Sequence, residues 1–121
     1  MPKFFSPDEA RDLNPLLVSM LDDARERAGV PFVITSGFRN PAQNAAAGGV
    51  EDSAHSHMTS AGLPDGFAVD IRIPEDSRSR FHILRGLFGA GFCRLGVYDK
   101  HVHVDIDSTK PQFVCWTGES H

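Results

Sequence analysis

The sequence predicts a single α+β domain in which N-terminal helices pack on a small antiparallel sheet. The chain has 121 residues, which is the size of one ordinary domain with its own core. Hydrophobic residues make up 40% of it and charged residues 23%, as in typical globular proteins. Apolar residues recur at helical spacing near the N-terminus and alternate with polar residues at strand spacing further along. These three observations together favour the α+β class.

Two helix starts are predicted near the N-terminus. The segment Ser6-Pro7-Asp8-Glu9 combines an N-cap residue, a proline and an acid in the pattern of a capping box, so we expect a short helix there. Asn14-Pro15 repeats the cap and the proline, and a helical apolar pattern follows until Gly29. The residues of that pattern are Leu17, Met20, Leu21, Ala24 and Ala28.

The middle of the chain predicts a strand, a short helix and a long loop. The apolar, β-branched run at 31–35 indicates a buried strand. Asn40-Pro41 predicts a helix that runs through Ala47 and is ended by Gly48-Gly49. Residues 48–66 lack periodicity and are predicted as a loop, and loops of that length in compact domains are often functional.

Two later strands are predicted to have one apolar and one polar face. Period-two alternation at 67–73 places Asp70 opposite the large apolar side chains. In the strand predicted at 101–106 the valines and the isoleucine face one side. The other side of that strand has three polar residues: His101, His103 and Asp105.

Further elements complete the predicted domain. The apolar spacing at 81–88 predicts a helix that ends near Gly91, and strands are predicted at 92–98 and 112–116. Cys93 and Cys115 lack C-x-x-C spacing and are expected to be free thiols.

Charge and hydropathy exclude several classes of partner. The formal net charge is -4, and scattered basic residues provide no field to hold a nucleic acid. No apolar run approaches the ~20 residues that span a bilayer, so no membrane association is expected. The N-terminus lacks the basic and apolar regions of a secretory signal, which predicts a protein that is cytoplasmic as synthesised. We also expect it to be a monomer.

Four of the six histidines form two H-x-H pairs, His55 with His57 and His101 with His103. A histidine, a strand carboxylate and a second histidine supply three N/O ligands, as in catalytic zinc sites that keep a fourth position for water. The same spacing also arises where a sheet face is merely polar. From spacing alone, a zinc site and a metal-free scaffold therefore both remain open.

The order of four motifs resembles that of the M15 peptidases: ITSGFR at 34–39, GGVEDSAH at 48–55, GFAVDI at 66–71 and HVD at 103–105. The opening FFSPDE at 4–9 and the late Trp116 extend the resemblance over nearly the whole chain. That family includes zinc D-alanyl-D-alanine carboxypeptidases, D,D-dipeptidases and phage L-alanyl-D-glutamate endolysins. Its fold is shared with the Hedgehog signalling domain.

The resemblance implies zinc-dependent hydrolysis of peptide bonds in peptidoglycan stem peptides, by a carboxypeptidase or an endopeptidase, with a phage lytic enzyme as one form. A phage lysis system would then release the protein to the cell wall. Carried over by motif, the zinc ligands fall on His55, Asp70 and His103. Arg39 corresponds to the arginine that stabilises the charge developing on the substrate and contacts it, and Ser53 to a substrate-binding position.

The general base is not settled by the resemblance. Relatives often have an acid three residues before the second zinc histidine, where this chain has Lys100. Asp99 is the nearest acid, and His101 lies on the same strand face as His103, so both are candidates to activate a zinc-bound water. The displaced acid also favours an alternative, in which the domain binds zinc without catalysis as a structural or binding part, for example of a phage particle.

The early zinc ligand requires a choice between His55 and His57. Relatives have a shorter segment between this histidine and the aspartate, so either choice implies an insertion before Asp70. The upstream motif reaches His55 without a gap, and a loop insertion costs little free energy when its ends stay close. We therefore predict His55 as the ligand.

Overall fold

The computed structural model describes residues 3–47 and 53–118. Three α helices and five strands follow one another in these residues: α1 (Pro15–Ala28), β1 (Ile34–Ser36), α2 (Pro41–Ala46), β2 (Ala68–Arg72), α3 (Ser77–Gly89), β3 (Arg94–Val97), β4 (His101–Asp105) and β5 (Val114–Thr117). A single 3-10 turn, Ala54–Ser56, lies between α2 and β2. The predicted α+β class is confirmed. The predicted helix break at Gly48-Gly49 lies outside the described residues.

The five strands form one mixed sheet in the order β1-β2-β4-β3-β5. Neighbouring strands are antiparallel except β5, which runs parallel to β3. The sheet is antiparallel as predicted except at this one edge. Both edges of β4 are already paired, with β2 and with β3, so β5 can join the sheet only at an outer edge, and it does so beside β3.

The segment that follows Ser6 forms turns rather than the predicted helix. The capping box itself is present, because Glu9 N–H donates to Ser6 Oγ and Ser6 N–H donates to Glu9 Oε1. Asp12 then adopts a left-handed φ of 61°, which a continuing helix does not allow. Leu13 next pairs with Gly66, and α1 begins after the Asn14 cap.

The core lies between one face of the sheet and the helices α1 and α3. Alternation along the central strands directs their apolar side chains to this face. The largest fully buried side chains of the core are Leu17, Leu21, Val69, Ile71, Ile83, Leu87, Leu95, Val102 and Val104. The helix α3 begins at Ser77, earlier than predicted, because Asp76 caps it by accepting from Arg78 N–H. None of the described helices is long and apolar enough to cross a membrane.

Helices α1 and α3 are in close backbone contact at Gly86. A Cβ atom added there would lie 2.8 Å from Ala28 Cβ and would also collide with the Ala24 carbonyl oxygen. At Gly89, the last residue of the same helix, the nearest atoms to an added Cβ would belong to the Arg27 side chain, the first at 3.2 Å. The α1 backbone cannot easily move away from a Cβ at Gly86. The flexible Arg27 side chain can move away from a Cβ at Gly89.

We predict that Gly86→Ala destabilises the protein and that Gly89→Ala does not. Alanine gains about 1 kcal/mol of helix propensity at either position, but overpacking costs about 1–3 kcal/mol where the neighbours cannot move. Urea denaturation followed by circular dichroism would measure the difference. Equal free energies of unfolding for the two variants would contradict the close helix contact.

Candidate metal centre

Three side chains with metal-binding atoms converge on the polar side of the sheet. They are His55 from the 3-10 turn, Asp70 from β2 and His103 from β4, and one ligand atom from each lies within 4.8 Å of the other two. Asp70 and His103 are directly opposed in the pairing of β2 with β4. The backbone register alone therefore brings two of the three groups together.

His55 is 1% exposed and is held by three hydrogen bonds. Its backbone N–H donates to Ser53 Oγ and its carbonyl accepts from Arg39 N–H. Its ring Nδ1 lies 2.8 Å from the Gly37 carbonyl oxygen. Because a carbonyl only accepts, Nδ1 has the hydrogen and Nε2 presents a lone pair. This Nε2 is buried without a hydrogen-bond partner among the described residues.

The ring of His103 is oriented in the same manner. Its Nε2 lies 2.8 Å from Asp105 Oδ2, so Nε2 has the hydrogen and Nδ1 is left with a lone pair. Asp70 Oδ1 lies 3.3 Å from this Nδ1 and 3.4 Å from His55 Nε2. Three acceptor atoms thus face one another, an arrangement that a cation satisfies and that Zn²⁺ accepts with two nitrogens and one oxygen.

Electrostatics keep Asp70 ionised. Burial alone would raise the pKa of Asp70, but in the absence of a metal the His103 and His55 rings, when protonated, donate to it and hold it well below its ordinary range. Burial alone would lower the pKa of His103, but its contacts with Asp105 and Asp70 raise it. The negative carboxylate at the centre of the cluster therefore favours a bound cation.

A cavity of about 280 Å³ opens beside this cluster. His55 and His103 line it together with Arg39 and Ser53, two residues that the sequence motifs had associated with the substrate. Arg39 Nε is buried and has no hydrogen-bond partner among the described residues. The structure therefore gathers the two predicted substrate-binding residues next to the candidate metal ligands.

Other lining residues were not predicted as site residues: Arg94, Tyr98, Asp105, Lys110 and Trp116. The Trp116 ring lies 5.6 Å from the His103 ring, and its Nε1–H donates to the Tyr98 hydroxyl. Gly96 permits this position, because an added Cβ would lie 2.6 Å from Trp116 Cε2. The sequence had pointed to two of these residues, to Trp116 by its late position in the motif series and to Asp105 by the HVD motif and the polar face of its strand.

The two candidate bases lie at the edge of the site and do not line this cavity. His101 is half-buried on the same face of β4 as His103, and its ring stacks on Tyr98 at 4.4 Å. Burial lowers the pKa of His101, although the charges of Asp70 and Asp99 act to raise it. Asp99 is exposed in the turn between β3 and β4.

His57 is not part of the convergent cluster. Its Nδ1 lies 3.1 Å from Asp65 Oδ2 and 3.0 Å from the Asp65 carbonyl oxygen. Its ring stacks on Phe67 with the ring centroids 3.5 Å apart. These contacts hold the His57 side chain at the base of the loop that precedes β2. The histidine that faces Asp70 is therefore His55.

The chain is similar to a known protein family. A family model described as Peptidase M15 matches residues 4–105. The matched segment contains all three residues of the cluster and Arg39. No curated protein matches the chain.

We predict about one zinc ion per chain, bound through His55 and not through His57. His55→Ala should lose zinc because it removes the buried Nε2, whereas His57→Ala should retain it because that ring contacts Asp65 and Phe67. Plasma emission on protein purified without chelator would measure the zinc content. Asp70→Ala and His103→Ala serve as references for loss, and zinc retained in His55→Ala but lost in His57→Ala would reverse the assignment.

Proposed function

The chain belongs to the peptidase M15 family, and we propose that it is a zinc-dependent peptidase that cuts peptidoglycan stem peptides. The observation that supports this most strongly is the convergence of three acceptor atoms, from His55, Asp70 and His103, beside a cavity of about 280 Å³. A bound Zn²⁺ supplies a Lewis acid that polarises a peptide carbonyl and acidifies water. The protein's own groups must then orient the peptide and move protons.

Arg39 is proposed to stabilise the negative charge that develops on the carbonyl oxygen of the substrate. Its side chain lines the cavity beside His55. A guanidinium whose Nε is buried and lacks a hydrogen-bond partner among the described residues can donate to that oxygen without first losing another contact. Ser53, at the same cavity, is proposed to contact the peptide.

The proton of the attacking water is proposed to go to His101 or Asp99. A general base must lie within hydrogen-bond reach of that water. His101 shares a strand face with His103, which favours it for proximity. Asp99 lies in the preceding turn and offers a carboxylate, the type of group that relatives use at a neighbouring position.

The substrate assignment rests on family membership. A carboxypeptidase would remove the terminal D-alanine of a stem peptide, and an endopeptidase would cut between L-alanine and D-glutamate. We propose that the protein acts as a monomer on the cell wall, which a phage lysis system would make accessible to it.

Digestion of purified peptidoglycan by the zinc-loaded protein tests this function. We expect new peptide termini, identified by mass spectrometry, that are absent when Asp70→Ala is used. The position of the new termini distinguishes the carboxypeptidase from the endopeptidase. Zinc binding without any new termini would refute the peptidase proposal and favour the non-catalytic domain, to which Lys100 in the usual place of the acid also points.

We predict that Arg39→Ala keeps its zinc and loses turnover by about 100-fold to 1000-fold, the usual effect of removing one donor to a developing oxyanion. Arg27→Ala is the control, because it removes an arginine whose ion pair with Asp23 lies on the exposed surface of α1. Release of product from a synthetic stem peptide would measure the rates. Unchanged turnover in Arg39→Ala would leave that residue a structural role, and activity retained in both Asp99→Asn and His101→Ala would exclude both candidate bases.

A further inference from the structure

Asp105 is a buried carboxylate whose contacts connect the candidate metal centre to the neighbouring strand. Its side chain is 1% exposed. Its Oδ1 accepts from Arg94 Nε–H at 2.8 Å and from Asp107 N–H at 3.0 Å. Its Oδ2 accepts from His103 Nε2–H at 2.8 Å. Oδ1 is therefore occupied by Arg94 and Asp107, and Oδ2 by His103.

Arg94 is itself held in one orientation. Its side chain is 11% exposed, and besides Asp105 it donates to the Pro111 carbonyl oxygen at 2.6 Å. Its guanidinium also lies 5.2 Å from the centre of the Trp116 ring. Arg94 is on β3, Asp105 on β4 and Trp116 on β5, so two of these contacts join adjacent strands.

Stability alone is a weak reason for such a buried ion pair. Removing two charges from water costs several kcal/mol for each ion, and well-packed apolar residues often replace such pairs without loss of stability. What the pair does control is the ring of His103. Without an acceptor at Nε2, the hydrogen of that imidazole could occupy Nδ1, the atom that faces Asp70.

We propose that Asp105 and Arg94 are positioning residues of the metal centre, which keep the hydrogen of His103 on Nε2 and present Nδ1 to the metal. This inference rests on the proposed zinc site. Carboxylates that accept from the second nitrogen of a metal-binding histidine fix its tautomer and orientation, and their loss typically weakens metal binding about 10-fold to 100-fold. Arg94 acts one step further away, by preventing the carboxylate from rotating.

Asp105→Asn isolates this role because asparagine has nearly the same shape. The asparagine oxygen must remain with Arg94 and Asp107, which both donate. Its NH₂ group then faces His103 and donates to Nε2. The hydrogen of the ring is thereby forced to Nδ1, where it blocks the metal.

The first measurement is zinc affinity by competition with a chromophoric chelator. We expect Asp105→Asn to bind zinc about 10-fold to 100-fold more weakly than the natural protein. Asp107→Asn is the matched control, because Asp107 is also a buried carboxylate and its Oδ1 accepts from Thr109 instead of from a histidine. Arg94→Met should give a smaller loss of affinity, and Arg94→Lys should lose less than Arg94→Met.

The second measurement reads the tautomer directly in metal-free protein. Long-range ¹H–¹⁵N correlation spectra of the ring nitrogens should show the hydrogen of His103 on Nε2 in the natural protein and on Nδ1 in Asp105→Asn. Circular dichroism and urea denaturation would establish that each variant is folded. A merely structural role of Asp105 would change the unfolding midpoint without changing the tautomer.

The outcomes separate this inference from the function on which it rests. Absence of zinc affinity in the natural protein would refute the metal site itself, and the positioning role with it. Zinc affinity that is normal in the natural protein and unchanged in folded Asp105→Asn would refute the positioning role alone. An unchanged His103 tautomer in Asp105→Asn would refute it as well.

Discussion

Asp70 and His103 occupy directly opposed positions on β2 and β4, and the register that places them there is fixed by the core on the other side of the sheet. Val69, Val102 and Val104 alternate with these polar residues and are fully buried against the helices. A slip of one residue would exchange the two faces, exposing the valines and burying the imidazole and the carboxylate. The free energy of core burial therefore also determines where the metal-binding groups meet.

Local sequence patterns could predict some parts of this structure and not others. Alternation at 67–73 and 101–106 is a local signal, and it correctly separated the apolar face from the polar face that holds Asp70 and His103. The pairing of β5 with β3 depends on which strand edges remain available after the sheet has formed, so the parallel edge was missed. At the N-terminus the capping box was read correctly, but the left-handed Asp12 and the pairing of Leu13 with Gly66 outweighed the local preference for a helix.

The site, too, could be predicted only where its signal is local in the sequence. Spacing left His55 and His57 as alternatives, because their roles differ only through partners distant in the chain: the Gly37 carbonyl for one ring and Asp65 for the other. Arg94 gave no signal, since nothing near it in the sequence indicates that β3 will place it against Asp105. Motif resemblance identified groups that could bind a metal, whereas the groups that orient them became visible only with the three-dimensional contacts.

The position of Trp116 over Gly96 gives the protein an intrinsic optical reporter. The chain has one tryptophan, and its ring lies 5.6 Å from the His103 ring. All indole emission therefore originates beside the candidate metal centre, within the range at which paramagnetic ions such as Co²⁺ or Cu²⁺ quench fluorescence by contact or energy transfer. Occupancy of the centre can consequently be followed in dilute solution without attaching a dye.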